Sequence, residues 1–582
     1  MSIRFDFIIK GTQSIQVPLF PQFISLNYYP KSLTKKLRTL RIIFPFLLMA
    51  LSCKKENTPA PVPEQFNIVK VEVNGMEGST SFFINSNSID CKIKFSAPID
   101  TSSLENSIVF VTKTGSYTPA TISTENGDSA IRIKSVQQLH AISAYYLTVH
   151  TSLSSRMGSQ LAARYTIKCI TPVDTSDKFP RISDEQLLQL IQEKTFRYFY
   201  DFAHPLSGMS RERNSSGDVV TIGGSGFGLM ALTVGIERNF ISRNDGLTRL
   251  DKILTFLETC DRYHGVWPHW LNGANGKTIP FGTKDNGADL VETSYLVEGL
   301  ITVRQYLKSD IPEENSLINR ITTLVNGVEY DWFTKGGQNV LYWHWSPDYG
   351  WDMNMQIKGW NEALIVYVLA ASSPTHGISK SVYDEGWASN GGIRNNKTFF
   401  GYILPLGWDY GGPLFFAHYS FLGLNPQNLE DIYASYWQQN VSHSLINYSY
   451  CVANPQNNYG YSGNCWGLTA SDNPWGYDAH SPTNDKGVIT PSAAISSLPY
   501  SPEESMRAVR YFYYILGDKL WGQYGFYDSF CLKEAWFADS YLAIDQGPEI
   551  CMIENYRTGL LWNLFMSCPD VTTGLTKLGF TY

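Results

Sequence analysis

Long apolar runs are missing from this sequence. The best candidate, Ile42 to Leu51, covers ten residues, about half of what a bilayer-spanning helix needs. No Cys-x-x-Cys pair occurs, and the nine cysteines (53, 91, 169, 260, 451, 465, 531, 551, 568) have no ligand-like spacing to histidine, which argues against a zinc cluster. A basic stripe is also absent. Lys and Arg number 46 against 53 Asp and Glu, for a net charge of -7, so nothing is laid out to grip a phosphate backbone and nucleic acid is excluded as a partner. The glycine run Ile222-Gly-Gly-Ser-Gly-Phe-Gly228 lacks the Lys-Ser/Thr of a nucleotide loop and reads as a site of close backbone packing. What is abundant is aromatic: 15 Trp, 35 Tyr and 31 Phe. Most must fill core, and the surplus beside Gly, Asn and Asp suits stacking on sugar faces.

At 582 residues the chain calls for two folded units plus a leader. Lys35-Lys-Leu-Arg38, the apolar stretch 42–51, Ser52-Cys53-Lys-Lys-Glu56 and the tether Thr58-Pro-Ala-Pro-Val-Pro63 follow one another. This order resembles a bacterial lipoprotein signal, with Cys53 as the lipidated residue and residues 1–30 as an upstream extension of the reading frame. Ala50 stands where leucine is usual, and a processed signal without lipid, or a short buried helix, is the alternative. The expected location is extracytoplasmic, in the periplasm or on the outer-membrane surface, with membrane contact through the lipid alone.

Between 65 and 171 short runs alternate with period two: Ile68-Val-Lys-Val-Glu-Val73, Asp90-Cys-Lys-Ile-Lys-Phe95 and Tyr145-Tyr-Leu-Thr-Val-His150. They predict a small β-sandwich without catalytic clusters, resembling the immunoglobulin-like modules attached to surface glycosidases. Residues 172–183 form a polar linker. From Asp184 the period becomes helical behind a Ser183 cap, with further helices expected at 227–238, 247–260, 290–307, 317–330, 361–371, 428–440, 503–516 and 554–566. Helices separated by long Gly/Trp/Tyr-rich loops predict a closed ring of helical hairpins with the loops at one mouth.

Carboxylates concentrate in those loops. Asp285, Asp289 and Glu292 are spaced i, i+4, i+7, which would place them on one helix face. A well-capped helix start is the plain alternative, but Trp267 and Trp270 in Val266-Trp-Pro-His-Trp270, with Pro280-Phe-Gly-Thr283, supply sugar-binding material nearby. Glu362 follows Lys358-Gly-Trp360-Asn. Desolvation there would raise its pKa toward that of a general acid, while a helix-capping role competes. Arg211 and Arg213 offer a cation pair for hydroxyls or carboxylates. Trp475-Gly-Tyr-Asp478-Ala-His480 reads as a groove loop, and Asp528, Trp536, Asp539, Asp545 and Glu549, with Glu554 and Arg557, form a late cluster in which 545–549 reads as a loop.

Thr195-Phe-Arg-Tyr-Phe-Tyr-Asp-Phe-Ala, Gly223-Gly-Ser-Gly-Phe-Gly, Asp285-x-x-x-Asp289-x-x-Glu292, Gly359-Trp-Asn-Glu362 and Ile544-Asp-Gln-Gly-Pro-Glu549 together resemble the bacterial glucoamylase-like (glycoamylase) group. More narrowly they are similar to glycoside hydrolase family 144, whose members act on β-1,2-glucan. The resemblance implies a mainly α (α/α)6 toroid over 184–582, inverting hydrolysis, and neither metal nor cofactor. It makes Glu362 the proton donor and gives Asp285, Asp289 and Glu292 the substrate and attacking water. Asp289 is the first choice for base, with Asp545 and Glu549 behind it. Arg211, Arg213, Trp267, Trp270, Trp360, Asp478, Trp536, Asp545 and Glu549 are the expected substrate-binding set. The expected partners are a glucan and other glycan-utilisation proteins. The competing readings are an α-glucosidic or uronide-acting toroid enzyme and a non-catalytic glycan-binding lipoprotein.

Overall fold

Alternation of buried and exposed residues, as in Asp90–Phe95, folds the amino-terminal part of the chain into two packed sheets. The computed structural model describes residues 65–582; the leader, Cys53 and the Pro-rich tether lie outside the described residues. Strands β1 (Ile68–Val73), β2 (Met76–Gly78), β3 (Ser81–Phe83), β4 (Asp90–Phe95), β5 (Ile108–Thr112), β6 (Ala120–Glu125), β7 (Ala130–Ser135), β8 (Ala144–Val149) and β9 (Tyr165–Ile170) make sheets of order β2-β1-β4-β7-β6 and β3-β9-β8-β5. Only the β3–β9 pairing is parallel among them. Val73, Cys91, Ile93, Ile131, Val149 and Ile167 fill the space between the sheets.

The remainder is helical: α1 (Asp184–Tyr200), α2 (Ile222–Glu237), α3 (Arg243–Thr259), α4 (Leu290–Tyr306), α5 (Pro312–Asn326), α6 (Leu364–Ser372), α7 (Tyr436–Ala453), α8 (Pro491–Ile495), α9 (Pro502–Arg510), α10 (Gly517–Leu520), α11 (Ala543–Thr558), α12 (Leu560–Met566) and α13 (Pro569–Leu578). None is long and apolar enough to cross a membrane. Burial sorts them. All nine residues of α6, all five of α8 and every residue of α4 from Leu290 to Arg304 are buried, whereas α3, α5, α9 and α13 bury one face. A helix apolar all round belongs inside.

The inner segments close on themselves. α2 packs on α4 and α11, α4 on α6, and α11 on α8. The gap between α6 and α8 is filled by the tight turns of Leu414–Phe421, where Ser420 Oγ accepts from the Ile365 amide at 3.0 Å and Tyr500 donates to the Ala417 carbonyl at 3.0 Å. With α1, α3, α5, α13, α7 and α9 packed behind them, the six inner segments form the ring of hairpins expected from the sequence. The glycine run read as a site of close backbone packing opens α2, and its small residues set the approach of α2 to α4. A Cβ at Gly226 would stand 2.1 Å from the Tyr295 carbonyl oxygen, and one at Gly299 2.2 Å from the Gly226 oxygen.

Two expectations are corrected. The helix expected at 428–440 starts only at Tyr436, because Asp431 accepts from the amides of Tyr433 and Ala434 at 2.8 and 2.9 Å, a local turn that competes with helix. Residues 545–549 are not loop but the first turns of α11, with Pro548 inside the helix.

The sandwich packs directly on the helical part. Phe83 stacks on Tyr459 with centroids 4.5 Å apart, and Ile142 enters the helical core beside Leu188 and Tyr514. Lys168 Nζ donates to Glu534 Oε2 at 2.6 Å and Lys113 Nζ to the Glu534 carbonyl at 3.0 Å. The segment between the two parts is pinned by Phe179 stacked on Tyr513 at 4.6 Å and by the Ile182 amide on Tyr514 Oη at 3.0 Å.

Candidate active site

Asp289 is the residue around which the site is assembled. It is the N-cap of α4, with φ -122° and ψ 105°, and its Oδ1 accepts from the amides of Val291 and Glu292 at 3.1 and 3.0 Å, which is why the helix begins there. Oδ1 also accepts from Trp343 Nε1 at 2.9 Å, and Oδ2 faces His269 Nδ1 at 2.9 Å. Asp289 is 0 % exposed. Burial works against its charge, yet the hydrogen bond from His269 and the amide of Glu292 hold its carboxyl below the usual range. His269 answers in kind: burial disfavours its cation, but the charges of Glu292, Asp289 and Asp285 outweigh that and carry it to about 9.

The three carboxylates therefore do not share a helix face, contrary to the spacing argument. Asp285 lies in the loop before the two-residue strand Ala288–Asp289, Asp289 caps, and only Glu292 is on α4. They converge all the same. Burial and the neighbouring charge of Asp289 push Asp285 up, and its Oδ1 is buried without a hydrogen-bond partner among the described residues. His344 Nε2 stands 3.5 Å from Asp285 Oδ2. Glu292 is 7 % exposed, is pushed up by burial, and accepts from the Gly223 amide at 2.9 Å. That approach requires glycine, since a Cβ at 223 would sit 2.5 Å from Glu292 Oε2.

Glu362 joins from the segment just before α6 and is half-buried. Its backbone carbonyl accepts from Tyr295 Oη at 3.3 Å and from Ser420 Oγ, which fixes where the side chain starts. Burial, then the charges of Glu292 and Asp289, raise its carboxyl to about 7. Tyr419 feels Asp545, Tyr477, Glu362 and Glu292 at once, so it stands between this group and a second set of acids. There Asp528 and Asp545 share a side-chain hydrogen bond, and burial pushes both up, Asp528 further through the charges of Asp545 and Asp472 and Asp545, to about 8, through those of Asp472 and Glu549. Asp528 Oδ2 accepts from the Asp472 amide at 2.7 Å, and Arg213 reaches Glu212 at 3.0 Å and Asp472 at 3.2 Å. Two acids that close cannot both ionise, so the pair holds a proton at neutral pH. Glu549, 1 % exposed, is pushed well up by burial and by the charge of Asp528.

Several expected binding residues lie elsewhere. Trp267 is 0 % exposed under the Arg262 guanidinium at 4.1 Å, and Trp360 is 3 % exposed against Phe421 and Tyr436. Both are packing residues with no face for a sugar. Asp478 pairs with Lys486 and Asn484. In the hairpin Ala470–Asn473/Gly476–Ala479 it alternates with Tyr477, and because Tyr477 faces Asp545 and Asp528, Asp478 points away. Arg211 lies over Phe202 at 4.8 Å, and Trp536 is half-buried on the strand opposite Cys531. Trp270 is half-buried beside His269 and Phe281, at 5.6 and 4.8 Å. The residues missed by sequence reasoning are His269, Trp343, His344, Tyr295, Tyr419 and Tyr477. His269 was visible only as part of an aromatic flank, and the tyrosines carry no local motif.

A cation could find ligands at His269, Asp285 and Asp289, whose ligand atoms lie within 4.8 Å of one another. His269 there is a protonated partner of Asp289, so an ion would have to displace that proton.

Residues 354–569 match the Glycoamylase family model, described as "Putative glucoamylase", and residues 71–171 match the bacterial Ig-like domain model. The chain is 44 % identical over 419 residues to an exo β-1,2-glucooligosaccharide sophorohydrolase (non-reducing end) of Parabacteroides distasonis, a match spanning 68 % of this chain and 58 % of that protein. The endo-β-1,2-glucanase of Chitinophaga pinensis, solved with sophorotriose and glucose, is 52 % identical and superimposes with a TM-score of 0.68 over 69 % of this chain and 99 % of its own. A β-1,2-glucanase structure from Parabacteroides distasonis is 37 % identical, with a TM-score of 0.67 over 88 % of this chain and 73 % of its own. The chain belongs to the glycoamylase family.

Proposed function

We propose that the protein hydrolyses β-1,2-glucan with inversion at the anomeric carbon. The observation that carries this reading is Glu362, a half-buried carboxyl raised to about 7 whose field is shared with Glu292 and Asp289. A group poised there is protonated in slightly acid medium and can release its proton to a departing glycosidic oxygen. Glu292 is the base in this scheme. Asp289, the first choice from sequence, has both oxygens engaged by donors and a lowered pKa, so it organises the site and does not take the water's proton. Glu292 accepts one amide hydrogen bond, from Gly223, has a raised carboxyl, and lies close enough to raise Glu362. Inversion needs the two carboxyls about 6.5–9.5 Å apart with water between. The relatives' β-1,2-glucan activities favour this linkage, and one being named exo and another endo leaves the cleavage mode to experiment.

Incubation of the purified protein with β-1,2-, β-1,3- and α-1,4-glucans and a uronide, with products followed by proton NMR, tests the reading. Only the β-1,2-glucan should be cleaved, and the new reducing end should appear first as the α-anomer. Cleavage of the α-1,4-glucan, or a β-anomer first, would refute it.

Anchoring through a lipid on Cys53 is proposed on the order of the basic patch, the apolar core and Ser52-Cys53. Cys53→Ala should move the protein from the membrane fraction to the soluble extracytoplasmic fraction and abolish labelling by radioactive palmitate; retention of label would discard the assignment.

A further inference from the structure

We propose that Trp408 is an outer platform on which a glucosyl ring of a long β-1,2-glucan stacks as the chain leaves the catalytic cavity; this rests on the hydrolase reading above. Trp408 is 59 % exposed, while Trp267 and Trp360 near the carboxylates are buried. Its loop is held in place. Gly407, Tyr410, Gly411 and Gly412 all have positive φ, from 64° to 92°, conformations that favour glycine. A Cβ at Gly407 would lie 2.7 Å from Trp360 Cδ1, and one at Gly411 2.2 Å from His443 Cδ2. The loop is thus seated at one end on Trp360, two residues before Glu362, and at the other on α7. Asp409 is tied to Lys397 at 2.8 Å.

A line of rings leads from Trp408 inward. Its centroid is 6.3 Å from Phe416, Phe416 is 4.8 Å from Phe415, and Phe415 stacks on Tyr419 at 5.0 Å, the tyrosine between Glu362 and Asp545. An exposed indole joined through packed rings to Tyr419, beside the charged pair Asp409 and Lys397, matches the C–H face and hydroxyl rim of a sugar ring. A fixed loop presents it without the ordering cost a mobile one would carry.

The test compares linear β-1,2-glucan of about twenty units with the trisaccharide, using binding to Glu362→Gln and turnover by the otherwise wild-type chain. Trp408→Ala should weaken binding of the long glucan about tenfold and lower its kcat/KM through KM by a similar factor, with a loss on the trisaccharide at least fivefold smaller. Trp408→Phe should recover most of the difference, which a folding defect would not allow. Equal losses on both lengths, or none on the long chain, overturn the platform while leaving the hydrolase reading intact. A wild-type protein that cleaves neither substrate overturns both.

Discussion

Glu362→Gln should lower turnover of β-1,2-glucan by at least about a thousandfold while sugar binding persists, the size expected when a general acid is removed. The amide is nearly isosteric, and the backbone bonds from Tyr295 and Ser420 to the residue 362 carbonyl are untouched, so the cavity keeps its shape. Because the wild-type acid titrates at about 7 and must carry its proton, kcat/KM should decline as pH rises through that value. It should also decline in acid, as the raised carboxyl of Glu292 gains a proton. Residual activity in the variant should lose the alkaline limb. Full activity in Glu362→Gln, or an unchanged alkaline limb, would remove Glu362 from its role.

The second large effect is expected at Asp289. Asp289→Asn keeps an oxygen for the α4 amides but leaves His269 facing an amide inside the protein, a broken buried pair costing about 3 kcal/mol. Displacement of Glu292 and Asp285 should cut activity at least about a hundredfold. The pH dependence separates this pairing from general damage. His269 is raised in the fold from 6.5 to about 9, so its contribution to stability is complete below about 6.5 and is lost as pH rises through about 9. Asp289, lowered in the fold, contributes above its unfolded value and loses that contribution in acid. The gap in denaturation midpoint between wild type and variant should therefore be widest near pH 6 and narrow toward pH 10. A constant gap would contradict the ion pair.

The sequence was most legible where one local rule had no competitor. Period-two alternation located β1 and β4, and the Ser183 cap located the start of α1, where Gln186 completes a capping box. It misled where two rules met. The spacing of Asp285, Asp289 and Glu292 fits a helix face, but a helix must begin somewhere, and Asp289 is the residue able to cap it. Residues 545–549, with Pro548 among them, read as loop, yet the packing of α11 overrides the low helix propensity of proline. Aromatics were the least legible of all. Trp267 and Trp360 look like Trp408 in sequence, and only tertiary burial separates a core indole from one presented to a ligand.

The grip of Lys113 and Lys168 on Glu534 has a mechanical meaning. Glu534 sits at the tip of the turn between Phe530–Cys531 and Trp536–Phe537, and Asp528 lies at the root of that same hairpin. The hairpin couples the sandwich contact at Glu534 to Asp528 of the proton-sharing pair, so a displacement of the sandwich would act on the element that carries that acid.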